Sequence, residues 1–414
     1  MYQRYSETNK ASFTLSICLL LFVVRDCIRV VLGNFNWNSD GWCFERYTGP
    51  IMTLLAFSSI VALIVYLLSY VRIQLPSRLR YVIVLITVLS VFWTAHSILN
   101  VPNYHIGTLD GTAKTVWVGV LGIYLGYDKF SWERIKKSIP TFAMLYMTIS
   151  FVYVVYIKIA GMWHQQTNEA PYWMTYSTGI WLMAYMVLCY DNSTQRDNRR
   201  FLALFLMNAF IVAFSISRGW LLQTVFLTIV YLLTSSSSSS NKRRMVICLL
   251  IIMVVGTYIL KDDISLYISS YMMKFQSLSS RETQYNAFFS QVQLTDLIMG
   301  KGEYASYTYR GNSNYIYIDN SFLYYAFHFG SVFSLSIFLL LLFEATRVLK
   351  VSNTVQERKI GIILLMWIAA LSGVSVFCAG YEVSFRVLFI MMLVGRAAFI
   401  SDQSKLKDGA IVKT

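Results

Sequence analysis

Apolar runs of bilayer-spanning length recur along the chain, separated by short polar connections. A helix needs about 20 mostly apolar residues to cross a bilayer. Twelve such runs stand out, some short, at about 12–33, 50–71, 81–100, 113–127, 140–161, 172–190, 201–217, 219–235, 245–261, 321–343, 360–379 and 383–400. One interruption is long, residues 262–320 between the ninth and tenth runs. Its first part carries Ile264, Tyr267, Ile268, Tyr271, Phe275 and Leu278 at helical spacing, which predicts an amphipathic helix lying on the membrane face. Ser279-x-x-Glu282 then reads as a capping box opening a second helix over about 280–299, with Arg281 in its first turn. Gly300 and Gly302 end that helix, and Tyr304, Tyr307, Tyr309, Tyr315 and Tyr317 follow. A bare connection needs only a few residues, so a loop of this length points to function. The tyrosines suit either stacking on sugar faces or an interfacial aromatic belt.

Composition strengthens the membrane reading. Hydrophobic residues make up 56% of the chain and charged residues only 14%, against roughly 25% charged in ordinary soluble domains. The fold expected is an all-α polytopic membrane protein of about 12 transmembrane helices, one integral domain over 1–414 with one large external loop at 262–320. Charge sets the orientation. With the N-terminus cytoplasmic, the inner segments hold 23 basic and nine acidic residues, while the spans and outer loops hold 12 of each. The formal +14 is then wholly cytoplasmic, as the positive-inside rule requires, and calls for no nucleic-acid partner. Both termini fall inside, with cytoplasmic connections at 72–80, 128–139, 191–200, 235–244 and 346–359.

Arg4 and Lys10 precede the first run as in a signal peptide, but no small-x-small site follows, and Arg25, Asp26 and Arg29 interrupt the run. An uncleaved first span is expected. The six cysteines show no CxxC or metal spacing, and the four histidines give no metal signature, so neither metal nor cofactor is expected. His105, His164 and Glu169 read as solvated loop residues. Ser235–Ser240 reads as a flexible linker before Lys242, Arg243 and Arg244. No internal repeat is visible, which counts against the twofold design of many twelve-span transporters.

Ionisable residues within spans are rare and usually functional. Here they gather near the predicted outer ends. Arg25 and Arg29 share a helical face four residues apart, with Asp26 beside them. Ser215-Ile-Ser-Arg218-Gly219 lies at the turn between spans seven and eight, and Glu382 and Arg386 at the turn between eleven and twelve. Arginines at one depth suit a shared anionic ligand, because the planar guanidinium binds two phosphate oxygens and keeps its charge. Snorkelling, or pairing of Glu382 with Arg386, is the structural alternative.

Four stretches carry a resemblance to the O-antigen and capsular polysaccharide polymerases, and more distantly to the O-antigen ligases. Ser215-Ile-Ser-Arg218-Gly219 resembles the family's Ser-x-Ser-Arg-Gly turn. Ser280-Arg281 is similar to the arginine heading the large periplasmic loop, and Gly300-Lys301-Gly302 to the family's Gly-x-Gly. Asp319-Asn320-Ser321-Phe322-Leu323, followed by Phe329-Gly330, resembles the Asp/His-Asn-x-x-Leu entry to the next span. The ligases usually have histidine where this chain has Asp319.

The resemblance implies a metal-independent glycosyltransferase of GT-C-like architecture in the bacterial inner membrane. It would transfer a growing glycan from undecaprenyl pyrophosphate to an incoming lipid-linked repeat unit. Membrane lipid and a chain-length regulator are the further partners implied. Arg218 and Arg281 would stabilise the departing pyrophosphate, and Arg29 and Arg386 would help hold it. Asp319 is the first candidate base, with His328 and Glu382 as alternatives; His328 reads equally as a packed polar residue. Asn320, Tyr315, Tyr317 and Glu382 are candidate substrate contacts. A flippase or transporter of lipid-linked sugars, an O-antigen ligase, and a non-catalytic factor for polysaccharide export are the other classes.

Overall fold

A computed structural model describes residues 2–32, 44–100, 112–159, 178–190, 195–215, 218–234, 278–302, 305–315, 318, 320–373 and 385–411. The predicted ninth span, the amphipathic segment over 264–277 and the linker at 235–244 lie outside these residues. The described chain is almost entirely helical. It contains α1 (Tyr2–Leu32), α2 (Phe44–Tyr70), α3 (Ser77–Asn100), α4 (Thr112–Tyr127), α5 (Lys129–Ile159), α6 (Thr178–Leu188), α7 (Gln195–Ser215) and α8 (Arg218–Thr234). The second part holds α9 (Leu278–Gln291), α10 (Leu294–Met299), a hairpin of β1 (Tyr307–Tyr309) and β2 (Asn312–Tyr315), then α11 (Ser321–Phe329), α12 (Ser331–Val351), α13 (Val355–Gly373) and α14 (Phe385–Ile411). Among the described residues four segments are long and apolar enough to cross a membrane: Asn9–Ile28, Ser77–Leu99, Lys129–Tyr156 and Ser331–Val351. Many large apolar side chains on these helices are exposed, as a lipid-facing surface requires. The chain is an all-α membrane protein.

Two compact units divide it. One comprises 1–26, 36–138 and 284–414; the other 27–35 and 139–283. In the first, α4 and α14 pack backbone to backbone. Gly122 and Gly126 of α4 face α14 so closely that a Cβ on either would strike the carbonyls of Leu388 and Met392. Gly395 of α14 makes the reciprocal approach to the Ile123 carbonyl. Small residues four apart are how helices gain close contact where lipid removes the hydrophobic drive for association. The start of α5 is held by Asp128, whose carboxylate accepts from the backbone N–H and hydroxyl of Ser131 at 2.7 and 2.6 Å. Ser131 in turn bonds the Tyr66 hydroxyl of α2 at 2.9 Å.

In the second unit every residue of α6 is buried. An apolar helix with no polar face belongs inside a bundle. Gly179 lets Gln223 of α8 approach α6, and the buried Asn208 amide of α7 donates to Thr224 of α8 at 3.0 Å. Tyr190, Phe201 and Tyr231 form an aromatic trio, Phe201 stacking on Tyr190 and Tyr231 at 4.6 and 5.0 Å while the two tyrosines lie 5.7 Å apart.

Two predicted elements differ. The tenth span, expected as one run over 321–343, is two helices broken at Gly330, where φ is 91°. That backbone region strongly favours glycine, and hydropathy carries no trace of it. The loop helix expected over 280–299 breaks at Val292–Gln293. Val292 turns into the aromatic core while Asp296 accepts the Gln293 N–H at 3.0 Å and starts α10.

Candidate functional site

The long loop folds back on the bundle through one end of α11. A helix leaves its last four carbonyls without intrahelical partners. In α11 all four are satisfied. The Gly330 N–H donates to Ala326 O at 2.9 Å, Lys301 N–H to Phe327 O at 2.8 Å and Gly302 N–H to His328 O at 2.9 Å. The Trp93 indole of α3 donates to Phe329 O at 3.2 Å. Gly300-Lys301-Gly302 is thus a backbone clasp on the C-terminus of α11. Both glycines have positive φ, 88° and 97°, and a Cβ on Gly300 would sit 2.7 Å from the Gly330 nitrogen. Lys301 keeps its side chain outward, 3.3 Å from Asp296.

His328 is fully buried within this clasp, its Nδ1 2.9 Å from Gly302 O. A carbonyl can only accept, so Nδ1 carries the proton and Nε2 is the basic nitrogen. The ring lies 4.1 Å from that of Tyr324. At the other end of α11, Asn320 is the N-cap, its side-chain oxygen accepting from Phe322 and Leu323 N–H at 3.0 and 3.1 Å.

An aromatic core joins the clasp to the hairpin. Phe288 of α9 meets Phe327 and Tyr307 edge-on, at 5.1 and 5.2 Å. Tyr307 meets Tyr315 at 5.5 Å across the hairpin. Gln291 fixes the hairpin to α9 by pairing both halves of its amide with the backbone of Thr308, at 2.9 Å each. The turn is Arg310-Gly311, both residues at positive φ, which suits the twist of a tight hairpin. Tyr309 and Tyr315 remain half-buried, with the Gln284 amide 3.4 Å from the Tyr315 hydroxyl. Half-buried rings beside exposed Thr308, Arg310 and Ser313 form a surface that can stack on a sugar face and hydrogen-bond its hydroxyls.

The sequence candidates divide accordingly. Tyr315, Asn320 and His328 come together in one body around α11. Arg386 is buried in the first turn of α14. Arg218 opens α8, Arg281 lies near the start of α9 and Arg29 near the end of α1, but the side chains of all three are outside the described residues, as are Asp319, Tyr317 and Glu382 entirely. Sequence reading passed over Trp93 and Gln291, which carry no motif. It also passed over a second polar cluster. Arg78 of α3 donates to Glu344 of α12 at 2.9 Å and to Asp402 of α14 at 2.8 Å. Arg347 lies 3.9 Å from Glu344 and 3.6 Å from Asp402, and the Tyr127 hydroxyl of α4 donates to Asp402 at 3.2 Å. No family model matches the chain, and no curated protein matches it in sequence.

Proposed function

We propose that this chain is an integral membrane polysaccharide polymerase. It transfers a growing glycan from undecaprenyl pyrophosphate to the sugar of an incoming lipid-linked repeat unit, within about 12 spans of GT-C-like arrangement, both termini cytoplasmic and the loop outside. The observation that carries the reading is the clasp. Two stretches that resemble polymerase motifs, Gly300-Lys301-Gly302 and Asn320 through Gly330, are one structural unit, joined by two backbone hydrogen bonds and the His328 ring. Motifs that cooperate in one site need a shared rigid support, because small displacements of catalytic groups cost large factors in rate.

On this reading Arg218 and Arg281 neutralise the charge that develops on the departing pyrophosphate, with Arg29 and Arg386 holding it. His328 is fully buried, which favours Asp319 as the base that takes the proton of the acceptor hydroxyl. The half-buried tyrosines of the hairpin present the acceptor glycan.

The test is turnover by the purified full chain in liposomes supplied with undecaprenyl-pyrophosphate-linked repeat units. A ladder of longer lipid-linked chains is expected. Movement of the intact unit across the bilayer without extension would instead establish a flippase. Attachment of preformed chains to another acceptor, again without a ladder, would establish a ligase.

A further inference from the structure

α10 belongs to a polar loop, yet three of its six residues expose large apolar side chains. Leu294 is 72% exposed and Met299 71%, with Ile298 also exposed, while only Leu297 turns inward to the aromatic core. Helix propensity does not explain three exposed large apolar residues in a six-residue helix, and water would penalise them. Position offers an account. The end of α10 is fixed against the start of α12: a Cβ on Gly330 would lie 2.8 Å from Met299 O, and the Ser331 hydroxyl donates to Ile298 O at 3.4 Å. Directly beyond that contact α12 exposes an apolar stripe of Val332, Leu335, Leu339 and Phe343, each more than half exposed. These residues lie on one helical face of a membrane-length segment.

We infer that α10 is seated in the bilayer interface, its Leu294, Ile298 and Met299 buried among lipid acyl chains as the upper edge of the lipid-facing stripe of α12. The occupant follows from continuity, since the stripe and α10 meet through backbone contact at Gly330. The Asp296–Lys301 ion pair beside α10 supplies the polar edge such an element needs, with the lysine able to reach the headgroup layer. The clasp then lies at lipid depth. This inference rests on the membrane reading alone and stands or falls apart from glycosyl transfer.

The experiment places a single trifluoromethyl-phenylalanine in the full chain, at Leu294, Met299, Leu339 or Thr308, in lipid nanodiscs. Fluorine line broadening is compared between dissolved oxygen, which concentrates in lipid, and a water-soluble gadolinium chelate. Leu339 is the lipid reference and exposed Thr308 the aqueous one. At Leu294 and Met299, broadening by oxygen should exceed that by the chelate several-fold, matching Leu339. A chelate response equal to that of Thr308 would overturn the proposal by putting α10 in water. Protection from both agents would overturn it in favour of a covering protein, such as a second copy of the chain.

Discussion

The two ends of α3 and α12 are held by opposite means. At one end Arg78, Glu344, Arg347 and Asp402 form a four-charge cluster across α3, α12 and α14. Fifteen residues further along α3, roughly 22 Å at helical rise, the Trp93 indole meets a clasp of backbone amides, glycines and stacked rings. A charge cluster between helices fixes their register, because each carboxylate has one geometry that satisfies its partners, and breaking it strands a buried ion. A clasp of backbone bonds fixes a loop to a helix end with no formal charge. The charge end holds helix register, and on the function proposed above the clasp end supports the site.

Arg281→Lys would separate the two ends most sharply. Lysine keeps the charge but not the two-pronged donor. Loss of one such donor typically costs on the order of 10²–10³ in rate. Chain extension should fall by that factor, in kcat more than in donor binding, with membrane insertion and thermal stability unchanged. Normal ladders from both Arg281→Lys and Arg281→Ala would remove the loop arginine from the mechanism. Asp319→Asn should likewise stop extension in a folded protein, since asparagine cannot take a proton.

Arg78→Ala should do the reverse. It leaves fully buried Glu344 with only the more distant Arg347. Breaking a buried pair costs up to about 3–5 kcal/mol, and Arg78 is partly exposed, so about 3 kcal/mol is expected. Fluorescence-detected size-exclusion melting would read this as a lower transition, with activity per folded molecule retained. A variant with unchanged melting would show that the cluster is not what fixes the register.

Gly330→Ala attacks the clasp directly. Its backbone is strained for any side chain, and the Cβ would meet Met299 O, so about 2 kcal/mol is expected. Protease cutting within the loop should rise while the bundle stays intact. Equal protection in variant and wild type would remove Gly330 from the docking. The smallest effect belongs to Gly311→Ala at the hairpin turn. Nothing lies within 4 Å of the added Cβ, so only the positive φ opposes it. A loss of about 1 kcal/mol, visible as faster amide exchange across β1 and β2, is the outcome expected there.

Apolar length is a local property, so most described helices were legible as runs. Capping glycines were legible as places where helices stop. The tenth run misled because its interruption is a backbone angle at Gly330 and not a change of hydropathy. Gly122 and Gly126 carried a readable signal, a four-residue glycine spacing inside an apolar segment, but only the structure names α14 as the partner. Arg78 and Arg347 entered the sequence argument as positive-inside charges. Their partnership with Glu344 and Asp402 joins residues as much as 324 positions apart, and no local pattern encodes it.

Hydropathy and charge by themselves determined a helical membrane chain with one long polar loop, because the cost of burying polar groups in lipid acts residue by residue. The family resemblance, and not hydropathy or charge, marked Gly300-Lys301-Gly302 and the stretch from Asp319 to Gly330. Only the tertiary structure decided what the marks mean. Two glycines let one backbone reach two open carbonyls of another helix, those of Phe327 and His328, His328 is turned into that contact by its Nδ1 proton, and Tyr307 is withdrawn into the core while Tyr309 and Tyr315 stay at the surface. Each of those outcomes depends on a partner distant in sequence, and packing is the interaction that selects such partners.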